Sequence, residues 1–363
     1  MYLCLSKNLN STVNDKLNTV IDLFCGCGGL SLGFEEAGYE VLIGIDNWED
    51  ALKTYQHNHK NTQTLCADLA TLAPQTVEEK IDSTEVDVII GGPPCQGFSI
   101  AGKRIVNDKR NKLYKSFVRM VEYFRPKAFV LENVPNILSI GKGAVKQIII
   151  SDFENLGYKV VTKVLTASDY GVPQNRKRAI FVGILHGEDF QYPSPTAHSP
   201  ITVEEAISDL PLDSISEGGT YPKEPNSEFQ KQMRNGSNGV YNHDITIHTE
   251  KTQKIIAMVP DGGNYKDLPK DLQQTRKVHI AWTRLNSQKP SITIDTGHNH
   301  HFHYKYNRVP TVRESARLQS FPDTFHFLGG KTSQLKQVGN AVPPLLAKAI
   351  AESLLHQTQP QNE

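Results

Sequence analysis

Val86-Asp87-Val88-Ile89-Ile90-Gly91-Gly92-Pro93-Pro94-Cys95-Gln96-Gly97-Phe98-Ser99 is the stretch on which the reading of the fold turns. Apart from Asp87, its opening residues are apolar and β-branched, the composition of a buried strand. Gly91 to Pro94 then end that strand abruptly. Proline has a fixed φ and no N–H, so the loop has few alternative shapes. Cys95 is thereby presented on a stiff turn at a strand's carboxyl end, where open α/β sheets carry their chemistry. A lone cysteine in such a turn is more often a packed thiol. A fixed nucleophile is the sharper reading, and the rest of the chain decides between them.

Working outward, residues 19–24 read as a strand, followed by a helix with Leu30, Phe34 and Ala37 on one face that ends at Gly38. Residues 40–46 are a second strand with a helix after it to about residue 58, and 65–69 a short third strand. Residues 111–124 have helical spacing, 128–132 form a fifth strand, and 143–156 a further helix. Strands over 158–165 and 178–185 close the sheet. Strands alternating with helices predict a doubly wound, mostly parallel α/β sheet. Near Gly187 the texture changes to Pro, Gly, Asn and Ser, as in Gly218-Gly219-Thr220-Tyr221-Pro222, with short candidate strands and no long helical period. Regular pattern returns with helices over 312–320 and 344–355, and the last residues read as a loose tail. The expected division is 1–186, a smaller loop-rich module over 187–280 whose far boundary extends to about 310, and a return to the first domain over 281–363.

The 363 residues suffice for one large and one smaller domain. No apolar run approaches the ~18 residues of a membrane span, and the first residues do not read as a signal peptide. Five cysteines without a framework point to reduced thiols in a cytoplasm. Cys25 and Cys27 lack a second pair to complete a metal site. The stretch His298-Asn299-His300-His301-Phe302-His303 has the spacing of an extended segment and no acidic or cysteine partner nearby in sequence, so packing or DNA contact outweighs zinc. No metal is expected. With 39 basic and 39 acidic residues the net charge is zero, so nucleic-acid binding is not declared by composition. Phosphate contacts would have to come from clusters such as Lys103-Arg104, Lys109-Arg110 and Arg176-Lys177-Arg178.

The first strand runs into Phe24-Cys25-Gly26-Cys27-Gly28-Gly29-Leu30-Ser31, where glycines let a backbone approach a ligand at a helix N-terminus. Asp46 ends the second strand, where a carboxylate can accept from ribose hydroxyls. A nicotinamide site uses the same logic. Its G-x-G-x-x-G fingerprint fails here, because Ser31 stands where the third glycine belongs.

The 91–99 loop matches at every position the nucleophile loop of the DNA cytosine-5 methyltransferases, which the chain resembles. Four further stretches follow in family order: Glu132-Asn133-Val134, Gln174-Asn175-Arg176-Lys177-Arg178, the run from Arg313 to Pro322, and Gln337-Val338-Gly339-Asn340-Ala341-Val342-Pro343-Pro344. The resemblance covers residues 19–186 and about 281–355. Lacking long regulatory extensions, the chain resembles the compact bacterial enzymes of restriction–modification systems. The resemblance implies a fold that binds S-adenosylmethionine, with Phe24 packed on the adenine, Gly26 and Gly28 at the methionine end, Asp46 on the ribose and Asp68 on the adenine amino group. It adds Leu69, Pro93 and a loop-borne Asn340 to the cofactor set. Many relatives have a bulky residue directly after the ribose carboxylate. Here Asn47 stands there with Trp48 one later, and which of them covers the adenine stays open. The implied catalytic set is Cys95, Glu132, Arg176 and Arg178, with Gln96, Ser99, Arg104 and Gln174 at the substrate. Implied partners are double-stranded DNA and a cognate restriction endonuclease, with the enzyme a cytoplasmic monomer and no membrane contact.

The residue types suit the reaction. Carbon 5 of cytosine is too electron-poor to take a methyl group until a thiolate adds to carbon 6. A carboxyl group such as Glu132 can share a proton at nitrogen 3, and an apolar strand leads directly to it, which speaks against a surface carboxylate. Arg176 and Arg178 alternate, so both face one way; the family places Arg178 near the cytosine carbonyl oxygen and Arg176 near the nucleophile loop. A cytosine inside a duplex must be swung out first. An RNA methyltransferase of the same fold is disfavoured because its tRNA branch carries a Cys-Phe-Thr signature and this chain has no cysteine after Cys95. A non-catalytic DNA-binding relative is disfavoured by the intact catalytic set.

Overall fold

β1, Thr19–Leu23, is the centre from which the sheet grows in both directions. The computed structural model describes residues 19–81, 83, 85–94, 112–273, 282–297 and 301–358. After β1 come α1 (Gly29–Glu36), β2 (Glu40–Asp46), α2 (Glu49–Asn58), β3 (Gln63–Cys66), α3 (Pro74–Ile81) and β4 (Val88–Gly91). α4 (Lys112–Phe124), β5 (Ala128–Asn133), α5 (Ala144–Glu154), β6 (Tyr158–Thr166) and β7 (Lys177–Leu185) complete the sheet. Its seven strands lie in the order β3-β2-β1-β4-β5-β7-β6. β1 to β5 run parallel, while β7 is antiparallel to both β5 and β6. The order reverses between β1 and β4, which opens a crevice at their carboxyl ends.

Alternation along the strands feeds two apolar layers. Ile21, Ile89, Phe129 and Leu131 join one with α4 and α5; Val20, Val88, Ile90 and Val130 join the other with α1 and the last helix. That helix, α11 (Pro344–Thr358), follows α6 (Val203–Ile207), α7 (Glu228–Arg234), α8 (Glu250–Ala257), the two-residue strands β8 (Thr283–Arg284) and β9 (His301–Phe302), α9 (Val312–Leu318) and α10 (Lys331–Asn340). α1 crosses α11 closely because position 33 has no side chain: a Cβ on Gly33 would lie 2.4 Å from that of Ala347. A third apolar cluster joins Val203, Ile207, Phe229 and Met233 of the loop-rich segment to Val312, Phe321, Phe325 and Phe327.

Three expectations are corrected. The third strand covers Gln63–Cys66, not 65–69, because Asp68 turns the chain: its backbone carbonyl accepts from Thr71 and Leu72 and its side chain from Ala70. The loop-rich segment holds short helices where short strands were expected. Thr202, Ser227 and Thr249 cap them, and Thr202 with Glu205 makes a reciprocal capping box. Asn340, expected in a loop, ends α10.

Candidate active site

In the sheet register Leu23 stands opposite Ile45 and Gly91, and Gly91 opposite Leu131. The next residues, Phe24, Asp46, Gly92 and Glu132, therefore lie side by side along the top of the sheet. All four border a cavity of about 710 Å³. A second wall comes from Gln337, Gly339 and Asn340 on α10, and a third from Thr293, Ile294 and Thr296.

The glycine loop is bent at Phe24, whose φ of 61° is a left-handed value rare outside glycine. Such strain is held where the surroundings over-determine it. Here the following amides do so: Cys25 N donates to Ile45 O at 3.1 Å, and Gly26 N to Asp46 Oδ2 at 2.9 Å. Asp46 Oδ1 accepts from Trp48 N, also at 2.9 Å. Each oxygen keeps a lone pair for a hydroxyl donor.

Asp22, the polar residue inside β1, is 1% exposed. Its Oδ2 accepts from Ser31 Oγ at 2.6 Å, and that hydroxyl also meets Tyr55 Oη at 2.7 Å. Its Oδ1 has no partner among the described residues, and the residue borders the cavity. Burial, only partly offset by the Ser31 hydrogen bond, pushes the carboxyl up to about 8. Asp22 therefore holds its proton far more tightly than an exposed aspartate does while no cation stands beside it.

At the other end, Asn133 Nδ2 donates to Pro93 O at 2.8 Å, which ties the proline loop to β5. Arg178 Nε pairs with Glu132 Oε1, both side chains being 12% exposed. The pairing follows from register: Glu132 faces Ile180 on antiparallel β7, and Arg178 is two residues along on the same face. Gly92 makes room for the carboxylate, since a Cβ there would lie 2.9 Å from Glu132 Oε2. Arg176 is 1% exposed, which excludes a solvated surface charge. Burial first, and the Arg178 charge next, push its guanidinium down to about 9, still charged at neutral pH. Arg176 Nη2 donates to Gly339 O at 2.9 Å, so its recorded bond goes to the end of α10.

Phe24, Gly26, Asp46, Asn47, Asp68, Leu69, Pro93, Asn340, Glu132, Arg176 and Arg178 all border the one cavity. Two expected residues do not. Gly28 packs instead: a Cβ on it would meet His59 Nε2 at 2.1 Å, so glycine there admits the imidazole and does not line the site. Gln174 is fully buried, donating to Leu318 O and Gln319 Oε1 and accepting from Ile294 N, a strut under the site with no path to a substrate. Cys95, Gln96, Ser99 and Arg104 lie outside the described residues, as do His298 and His300. Of the other histidines in that stretch, His303 is buried against the Arg308–Glu314 pair. The run from Arg313 to Pro322 proves structural: Arg317 is fully buried between Asp209 and Asp323. Arg234 of the loop-rich segment is held by Asp209 and Lys223 O and lies over the Tyr221 ring. Sequence reasoning missed Asp22, Gly92 and Asn133. The signal for Asp22 was a lone acid inside an apolar strand. For Asn133 it was membership of the Glu132-Asn133-Val134 motif. It also missed Arg119, which pins the 68–72 turn by donating to Leu69 O and Leu72 O at 2.9 Å.

A doubly wound sheet with this cavity at its switch point, and a Glu–Arg pair and the Pro93-Pro94 turn on its rim, is an arrangement that fits a methyltransferase. The C-5 cytosine-specific DNA methylase family matches residues 18–356, and the chain belongs to that family. It is 42% identical to the type II methyltransferase M.DdeI of Desulfomicrobium norvegicum, over 92% of this chain and 88% of that protein. It is also 42% identical to the type II methyltransferase M1.HphI of Haemophilus parahaemolyticus, over 93% of this chain and 86% of that one. A prophage-encoded E. coli chain described as a DNA modification methyltransferase superposes with a TM-score of 0.78 at 30% identity, covering 94% of this chain and 99% of that one. The protein is a DNA (cytosine-5-)-methyltransferase with relatives in restriction–modification systems. Among the described residues no helix is long and apolar enough to cross a membrane.

Proposed function

We propose that the chain transfers a methyl group from S-adenosylmethionine to carbon 5 of a cytosine flipped out of a specific double-stranded DNA sequence, through a covalent bond between Cys95 and carbon 6. The observation that carries this reading is the half-buried Glu132–Arg178 pair, on the same cavity as Pro93 and Asp46. The cavity residues fit the cofactor. Asp46 has spare lone pairs for a ribose diol, and Asp22 has a buried carboxyl oxygen without a partner, which would give up its proton beside an ammonium group and pair with it. Phe24, Asp68 and Leu69 would hold the adenine, and Asn340 the carboxylate end.

S-adenosylmethionine, when bound, supplies a methyl group made electrophilic by its sulfonium. The protein makes the base nucleophilic. Flipping the cytosine out costs a few kcal/mol. The Cys95 thiolate forms a bond to carbon 6, and the electrons of the 5,6 double bond move into the ring. Glu132 shares a proton at nitrogen 3, and Arg178 meets the charge at the carbonyl oxygen. Carbon 5 would then bond to the methyl carbon as the methyl–sulfur bond breaks, its electron pair staying on sulfur as a neutral thioether. A base removes the carbon 5 proton, the double bond re-forms and the thiolate leaves. Arg176 holds the end of α10 against this wall.

Sequence choice is assigned to the segment of about 187–280, whose loops can present side chains to base edges. The enzyme acts as a cytoplasmic monomer, and a cognate restriction endonuclease cuts the same site. The test is to express the chain in a methylation-deficient host and sequence its plasmid for 5-methylcytosine. We expect one sequence context to be methylated by the wild type and none by Cys95→Ser. Methyl groups found in RNA but not DNA would overturn the reading.

A further inference from the structure

We propose that Lys336 is a cofactor-positioning residue that fixes the Trp48 indole as the cover of the adenine. The proposal rests on the reading of the cavity as an S-adenosylmethionine site and answers which neighbour of Asp46 closes it.

Trp48 is held at its backbone, where its N–H donates to Asp46 Oδ1 at 2.9 Å. Its ring is held from a distant part of the chain: Lys336 Nζ lies 4.5 Å from the ring centroid. Both residues border the cavity. Lys336 stands one helical turn before Asn340 on α10, so the two share a face. Among the described residues no carboxylate lies within ion-pair distance of Lys336, so the indole is the recorded partner of this cation. No aromatic ring among them stacks on Trp48, and the residue borders the cavity, where a planar ligand can meet the indole. Asn47 also borders the cavity but is exposed and has no ring. A cation over an indole is attracted to the ring and restrains it, so a planar ligand meets a ring already in place. The C-terminal return of the chain thereby takes part in holding a ligand whose other contacts come from β1, β2 and the 68–72 turn.

The chain has two tryptophans, Trp48 and Trp282, and Trp282 is buried in a separate apolar cluster. In a Trp282→Phe background the emission reports Trp48 alone. The experiment titrates this protein with S-adenosylhomocysteine, then repeats it with Lys336→Met and Lys336→Arg. Calorimetry on Lys336→Met with both tryptophans intact covers the case in which Trp282→Phe does not fold. Lys336 is exposed, so its variants keep the fold. We expect ligand binding to change Trp48 emission. Lys336→Met should weaken binding about two- to five-fold, as loss of an exposed cation–π contact does. Lys336→Arg should restore it. KM for S-adenosylmethionine should rise in parallel with kcat unchanged, a split that a merely structural lysine would not produce. Wild-type affinity in Lys336→Met, or equal losses in Lys336→Met and Lys336→Arg, would overturn the role of Lys336 and leave the cofactor reading standing. No binding of either ligand by the wild type would instead remove the cofactor reading itself.

Discussion

At the scale of single residues the site is governed by what fits beside Glu132. The carboxylate reaches Arg178 because position 92 carries no side chain, and a Cβ there would come within 2.9 Å of Glu132 Oε2. The atom displaced is the end of a side chain, so Gly92→Ala should shift the carboxylate and leave the fold intact. Misplacing a catalytic group by a fraction of an ångström to an ångström lowers rate by up to about 10²-fold. We therefore expect kcat to fall by ten- to a hundred-fold, on the order of that limit, with S-adenosylmethionine affinity and urea stability near wild type. Unchanged kcat would detach Gly92 from the placement of Glu132. Much at this scale was legible in the chain. Asp46 sits where a strand ends, and Glu132 follows an apolar run. Gly28 and Gln174 were misread because a motif gives identity and order but not direction: one glycine faces His59, and one glutamine faces inward to Leu318 and Gln319.

Among the elements, α9 shows how a short helix can organise two parts of the chain. Arg317 lies fully buried, pairing with Asp209 from the loop-rich segment and with Asp323 beyond its own helix. Removing one partner of a buried pair strands the others and costs about 3–5 kcal/mol. Arg317→Met should lose stability of that order in urea unfolding; a loss under about 1 kcal/mol, the worth of an exposed pair, would contradict the burial seen here. The sheet strands other than β3, and α1, α2, α4, α5 and α11, could be read from apolar period alone. α10 could not, because Lys331–Asn340 is mostly polar and ends in Gly339-Asn340, which reads as punctuation. α6 and α7 are too short to show a period, and α8 buries only the adjacent Ile255 and Ile256, which mark no helical face. Their caps were present in the sequence, and Thr202 with Glu205 spells a capping box.

For the molecule as a whole, stability should depend on histidines that fold uncharged. His303 is 1% exposed, and its Nδ1 accepts from Lys305 N at 3.0 Å and Tyr306 N at 3.1 Å, so its proton sits on Nε2. Burial pushes it down to about 4, and His243 and His326 are pushed the same way. The unfolded chain takes up a proton at His303 near pH ~6.5, while the folded one does not until about 4. Stability contributed by neutral His303 is therefore full above that upper value and is lost as pH falls between the two. We expect the thermal midpoint to drop across this window, and to drop less in His303→Gln, which keeps an acceptor for the two amides. Equal slopes would show that His303 titrates alike in both states. The proposed chemistry turns on a covalent step at Cys95. The most direct measurement incubates the enzyme and S-adenosylmethionine with duplex DNA carrying 5-fluorocytosine at the methylated position, where fluorine blocks proton removal, and looks for a complex that survives denaturation. We expect such a complex for the wild type and none for Cys95→Ser. A wild type that methylates ordinary duplex under the same conditions yet forms no such complex would contradict the covalent step.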